Sequence, residues 1–153
     1  MRAIVQRVNH AGVSVDGQTI GSCGTGFLVL LGVGQIDTEK EADVLLKKIL
    51  QLRVFEDGNG KMNLSLLDIG GEMLVISQFT LFANCRHGNR PDFLEAAPPA
   101  VAEPLYRYFA QQASAQLSHV GTGRFGADME VQLENHGPVT IWLDTDMWKK
   151  KSD

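Results

Sequence analysis

Two short segments of this 153-residue chain carry residue types that could work on a small polar ligand. The first is Ser77-Gln78-Phe79-Thr80-Leu81, in which a hydroxyl, an amide and a second hydroxyl follow the apolar run Met73-Leu74-Val75-Ile76. A continuous apolar run reads as a strand covered on both faces. Continued through Phe82, that strand places Ser77, Gln78 and Thr80 in one covered track. A buried polar side chain left unpaired costs roughly 1–3 kcal/mol, so each needs a partner. Nearby backbone could serve Ser77 and Thr80, whereas the Gln78 amide has donors and acceptors suited to a bound ester or amine. The second segment is Asn135-His136-Gly137-Pro138-Val139-Thr140. Met129, Val131 and Leu133 before it, and Val139, Ile141 and Leu143 after it, alternate with other residues at the two-residue period of half-buried strands. Proline lacks the N–H that a ladder needs, so Gly137-Pro138 belongs at a turn or on a sheet edge. It is either a plain hairpin turn or a place where free, rigidly aimed carbonyls accept from a ligand. X-Pro is also the only common site of a cis peptide bond.

Other machineries find no support. There is no GxSxG elbow, Walker loop, HExxH or paired CxxC. Gly121, Gly123 and Gly126 follow a predicted helix rather than a strand, which removes the context of a dinucleotide fingerprint. His10, His87, His119 and His136 are scattered without ligand spacing, and Glu56-Asp57-Gly58-Asn59-Gly60-Lys61 lacks the later glutamate of a calcium loop. We expect no metal and no cofactor.

The elements that must hold these segments follow from periodicity. Ala3 to Val8, Gly12 to Val15 and Phe27 to Leu31 read as strands, with Asp16-Gly17 as a hairpin turn. Thr38-Glu39-Lys40-Glu41 has capping-box spacing, and Ala42, Leu45, Leu46, Ile49 and Leu50 share one helical face that ends near Arg53. Met73 to Phe82 forms a second strand block, and Pro98-Pro99 introduces a second helix with Leu105, Tyr108, Phe109, Ala113 and Leu117 on its face and Pro104 near its first turn. A glycine-rich turn at residues 121–126 then leads to two strands around Gly137-Pro138. The order predicts an α+β fold, mostly antiparallel sheets forming a barrel-like core with two helices packed on it, and hints at a duplicated strand-strand-helix unit.

With 44% hydrophobic and 21% charged residues, residues 1–153 suit a single domain with its own core. No apolar run is long enough to span a bilayer, the first residues lack a signal-peptide pattern, and Cys23 and Cys85 suit free thiols in a reducing compartment. These features predict a cytoplasmic protein with no membrane contact. A net charge of −4 argues against nucleic-acid binding by bulk electrostatics, so such a partner needs local grip from Arg86, His87, Arg90, Arg124 or Lys149-Lys150-Lys151.

Ser77-Gln78-Phe79-Thr80-Leu81 and Asn135-His136-Gly137-Pro138-Val139-Thr140 resemble the two signature motifs of the D-aminoacyl-tRNA deacylases, SQxxL and NxGPxT. The similarity runs through Met1 to Val8, Phe55-Glu56-Asp57, Lys61-Met62-Asn63, Arg90-Pro91, Phe125 to Met129 and Trp142 to Thr145. The intact Ser77-Gln78 sets the chain apart from animal-type relatives with an altered first motif. The resemblance implies hydrolysis of the ester between a D-amino acid, or mischarged glycine, and the 3′-terminal adenosine of tRNA. It also implies a homodimer in which a cis Gly-Pro peptide enters the partner's active site. On this chain it places Gln78, Phe79 and Thr80 at the reacting ester and Ser77 beside them. Gly137 and Pro138 become backbone acceptors that meet the substrate amine and block an L side chain. Phe125 and Met129 become the lining for the terminal adenine, and Arg7 a buttress behind the Gly-Pro loop. Thr80 has no evident base beside it in the sequence, so a scheme in which main-chain N–H groups hold the developing oxyanion and the ribose 2′-hydroxyl helps activate water is preferred to threonine attack.

Overall fold

The computed structural model describes residues 1–151; Ser152 and Asp153, the end of the expected domain, lie outside the described residues. A six-stranded sheet runs in the order β2-β1-β3-β6-β7, with β8 paired to the other side of β1. Its strands are β1 (Arg2–Val15), β2 (Gln18–Cys23), β3 (Gly26–Gly32), β6 (Glu72–Ser77), β7 (Val120–Thr122) and β8 (Glu130–Asp144). A small ribbon joins β4 (Phe55–Glu56) to β5 (Met62–Leu64), with the Asp57 carboxylate accepting from the Asn59 and Lys61 amides to hold its turn. The helices are α1 (Glu39–Gln51), the single-turn α2 (Leu66–Ile69) and α3 (Pro99–Ser114).

Local chemistry explains most of these boundaries. The Thr38 hydroxyl and the Glu41 carboxylate form the expected capping box of α1, and Ala42, Leu45, Leu46, Ile49 and Leu50 are its buried face. The Asp16-Gly17 hairpin joins β1 to β2, with both residues at positive φ. Pro98 caps α3 and Pro99 is its first residue, while Pro104 lies a turn further in than expected.

The sheet carries two cores. Ala3, Val5, Phe27, Val29, Met73 and Val75 face α1 and α3, packing on Leu45, Ile49, Tyr106 and Phe109. The opposite face, with Leu28, Leu74 and Ile76, curls against Val8, Ala11, Val13 and Cys23. The curl brings β2 close to β7 and nearly closes a barrel. A Cβ on Gly21 would lie 2.3 Å from the Thr122 oxygen, and one on Gly121 2.4 Å from the Ser22 oxygen.

Several expectations change. A third, short helix joins the two predicted ones. The β3/β6 and β6/β7 pairings are parallel, because α1 and α3 lie in the connections that carry the chain back to the same end of the sheet. Gly121 and Thr122 belong to β7 rather than to a turn, the glycine being required by close strand approach. In chain order β2-β3-α1 is followed by β4-β5-α2, so a strand-strand-helix order does recur, but the second copy is a two-stranded ribbon and a single-turn helix outside the main sheet. The two strands expected around Gly137-Pro138 are one strand, β8.

Candidate functional site

The first segment leaves the sheet earlier than its composition suggested. β6 ends at Ser77, the partner of Leu31, and the Gln78 amide still donates to the Leu31 oxygen at 2.8 Å. The chain then winds into a 3₁₀ helix, Phe79–Phe82. Thr80 therefore lies exposed, not in a covered strand, Phe79 is 56% exposed, and Ser77 and Gln78 are half-buried. Of the polar track only Ser77 and Gln78 keep partial burial, and Gln78 Nε2 donates to the Thr80 hydroxyl. The Leu81 amide donates to the Gln78 oxygen at 3.3 Å and the Ala83 amide to the Thr80 oxygen at 3.1 Å. The Phe79 and Thr80 amides have no hydrogen-bond partner among the described residues, as the start of such a helix requires. Two consecutive free donors at the end of a buried strand form a ready acceptor-binding site.

This turn is braced from three sides. Arg2 donates through Nη1 to the Leu81 oxygen at 2.9 Å and through Nε to Asp144 at 3.0 Å, and its guanidinium lies 4.3 Å from the centre of the Phe82 ring. Gly32 lets the turn approach β3, since a Cβ there would sit 3.0 Å from the Gln78 oxygen. Phe79 meets Phe93 edge-on with ring centres 5.0 Å apart. Neither Arg2 nor Phe93 is marked by its sequence neighbourhood; strand alternation alone gives no reason to single out either.

A cleft of about 770 Å³ lies between α3 and β7, lined by Tyr106, Arg107, Gly123, Arg124 and Phe125 among others. The pairing of Val75 with Thr122 puts it at the same end of the sheet as Ser77. Tyr106 donates to the Val75 oxygen at 2.7 Å, burial pushes its phenol up to about 12, and its ring centre is 6.2 Å from that of Phe125. Phe125 thus forms cleft wall. Met129 is not part of the cleft lining: its sulfur lies behind Gly123, where a Cβ would come within 2.6 Å of it, and it packs on the barrel core.

The second segment is a bulge in an edge strand. Thr140 pairs with Gln6 and Asn135 with Val8, so residues 136–139 bow out opposite Arg7. The edge position accommodates the missing N–H of Pro138, and the Gly137-Pro138 peptide is cis. Arg7 is 5% exposed and donates through Nε to the His136 oxygen at 3.1 Å and through Nη1 to the Val54 oxygen at 2.6 Å. The Asn135 side chain donates through Nδ2 to the Arg7 oxygen at 3.0 Å and to the Val139 oxygen at 2.9 Å, closing the bulge from the other side. The carbonyls on either side of Gly137-Pro138 are thereby tied down. No side chain among the described residues bonds those of Gly137 and Pro138, and the register assigns these two residues no partner on β1. Glycine is required at 137: its φ is +124°, and a Cβ would lie 2.8 Å from Arg7 Nη2.

The structure does not bring the two segments together. The bulge faces Gln6 to Val8, which align through Leu28 and Gly26 with Leu74 and Glu72, whereas Ser77 lies three to five residues further along β6. Three strand spacings of about 4.8 Å and about 3.3 Å per residue separate them by roughly 20 Å. Between them the sheet shows a row of cross-strand partners, Trp142, Ile4 and Leu30, with Trp142 51% exposed. No group of three or more metal-ligating side chains occurs among the described residues.

Residues 4–144 match the family model described as D-Tyr-tRNA(Tyr) deacylase. A protein of Ruegeria pomeroyi named D-aminoacyl-tRNA deacylase is 59% identical over 144 residues, 94% of this chain and 99% of that relative. One of Thermosipho melanesiensis with the same name is 55% identical over 146 residues, 95% of this chain and 97% of the relative. A solved structure named c-Myc DNA Unwinding Element Binding Protein superposes with a TM-score of 0.88 at 45% identity, covering 94% of this chain and 98% of that one.

Proposed function

The chain belongs to the D-Tyr-tRNA(Tyr) deacylase family and is a hydrolase of the ester bond in D-aminoacyl-tRNA, and from that premise we propose how its backbone performs and restricts the reaction. The free Phe79 and Thr80 amides hold the ester carbonyl and stabilise the oxyanion that forms when water adds to it. The bond to the 3′-oxygen of the terminal adenosine then breaks, that oxygen takes a proton, and the ribose 2′-hydroxyl assists activation of the water. Gln78, bonded to the Thr80 hydroxyl, positions rather than attacks, and Ser77 ends the strand that aims the turn. Phe125 borders the site of the adenine, and Met129 backs it from behind Gly123.

Gly137 and Pro138 exclude L-amino acids. Their unbonded carbonyls accept from the substrate amine and stand where an L side chain would project, and glycine, with no side chain, passes the same gate, so mischarged glycine is cleared as well. The observation that carries this reading is the separation of roughly 20 Å between free donors and free acceptors within one chain. A homodimer joined across the face bearing Ile4, Leu30 and Trp142 delivers the bulge of one subunit to the turn of the other. Residues 1–153 act as one cytoplasmic deacylase domain, and no helix among the described residues is long and apolar enough to cross a membrane.

The test compares release of D-Tyr, L-Tyr and Gly from charged tRNA by the wild type and by Pro138→Ala. The variant is expected to gain activity on L-Tyr-tRNA; continued rejection of the L-ester removes the gate. A non-catalytic nucleic-acid-binding role, in line with the name of the 45% identical structure, predicts stoichiometric binding without turnover and is opposed by the net charge of −4.

A further inference from the structure

The segment after the 3₁₀ turn is a basic finger. The Asn84 amide donates to the Asp92 oxygen at 2.8 Å and the Asp92 amide to the Asn84 oxygen at 3.0 Å, closing a loop of residues 85–91. The Asn84 side chain accepts from the Arg86 amide at 3.0 Å, fixing the ascending limb. All of residues 85–91 are exposed, and they carry Arg86, His87 and Arg90 with no carboxylate among them. Of the acids at its base, Asp92 turns its carboxylate to the Leu94 amide at 3.3 Å.

The finger is not a free loop. It leaves the 3₁₀ helix two residues after Phe82, and Phe93 beyond its base stacks edge-on against Phe79. The returning chain is fastened to the end of β3, where the Ala97 amide donates to the Val33 oxygen at 2.9 Å. Seven residues folded back on themselves reach roughly 10 Å from the base. The finger that carries two guanidiniums is thus anchored at its base to the turn with the free Phe79 and Thr80 amides, on a chain whose net charge is −4. Uncommitted arginines on an otherwise acidic protein are suited to planar, bidentate contact with phosphate.

The geometry points to the finger of residues 85–91 as the element that grips backbone phosphates of the RNA strand leading to the reacting ester, through Arg86 and Arg90. This rests on the deacylase reading above and adds to it the site of phosphate contact. The finger supplies affinity for the polynucleotide and nothing to the chemistry of the terminal nucleoside.

Binding of uncharged tRNA between about 50 and 200 mM salt tests this directly, comparing wild type with Arg86→Gln/Arg90→Gln. Two lost contacts are expected to flatten the slope of log affinity against log salt by about 1.5, at roughly 0.7–0.9 per phosphate, and to weaken binding about 10-fold at the lower salt. Arg86→Lys/Arg90→Lys should keep most of the slope, and hydrolysis of the minimal substrate 3′-O-D-tyrosyl adenosine should stay within twofold of wild type. An unchanged slope and affinity in the glutamine variant overturns the proposal. So does equal loss on the minimal substrate, which makes the finger a brace for the turn, or finger-dependent binding that favours duplex DNA over tRNA. Wild-type protein that shows the finger-dependent slope but releases no D-Tyr overturns the deacylase reading and leaves the finger standing.

Discussion

The turn at Ser77 to Phe82 and the bulge at Asn135 to Thr140 are opposite answers to one problem, how to leave backbone groups unpaired without losing the fold. The turn lies at the end of a buried, parallel strand and exposes donors; the bulge interrupts an edge strand and exposes acceptors. Each is braced by an arginine from β1, Arg2 on the Leu81 oxygen and Arg7 on the His136 oxygen. The braces differ in depth. Arg2 is partly exposed and shared with Asp144, whereas Arg7 is buried and bonds only carbonyls. A buried guanidinium with fixed partners tolerates less disturbance than an exposed one, so the acceptor region should be the more fragile of the two.

That contrast can be broken most forcefully at Gly137. Gly137→Ala puts a Cβ against Arg7 at positive φ, at a cost of about 1–3 kcal/mol. Melting should fall by roughly 3–10 °C, and displacement of the gate should lower turnover of D-Tyr-tRNA about 100-fold. An unshifted melting curve with wild-type turnover means the bulge is neither tight nor functional. The next test asks whether the two regions serve one site across subunits. Mixing subunits of Gly137→Ala with subunits of Phe79→Pro, which lacks one of the two free N–H groups, each strongly impaired alone, should restore about a quarter of wild-type activity, because half the dimers are mixed and each holds one intact site. No recovery after subunit exchange places both regions in one chain's site. Thr80→Ala should lose less than about 10-fold in single-turnover rate, since the backbone amide remains; a loss of about 10⁴-fold with folding intact makes the hydroxyl the nucleophile.

The smallest effect lies away from both regions, in the barrel core. Burial, reinforced by the nearby Glu72 charge, pushes the Cys23 thiol up from 9.0 to about 11. Because the folded-state value is the higher, its stabilising contribution is complete below about pH 9 and is lost as the pH rises through about 11. Cys23→Ala should flatten that alkaline decline measured by urea melts, and a native thiol assay at pH 8 should titrate the exposed Cys85 alone.

Sequence periodicity was enough for α1, because its capping box and apolar stripe are local signals that agree. It was also enough to flag both motifs. It misplaced the end of β6, because Phe79 and Phe82 extend the apolar run whether the chain is strand or 3₁₀ helix, and only the exposure of Phe79 separates the two. It split β8, since a proline on an edge and a proline in a turn look alike until the neighbouring strand is known. The parallel pairing of β6 with β3 and β7 depends on helix placement across distant residues, which no short window contains.

The bulge has a bearing on solubility. Among the described residues β8 has no partner on its outer side, and a 15-residue open edge invites another strand to zip along it. Bowed residues and a proline without an N–H split that edge into two stretches, Glu130 to Asn135 and Thr140 to Asp144, whose registers are out of step with each other. An intruding strand can pair with one or the other but not run through both. The bulge proposed to keep out the wrong amino acid also guards the sheet against adding the wrong strand.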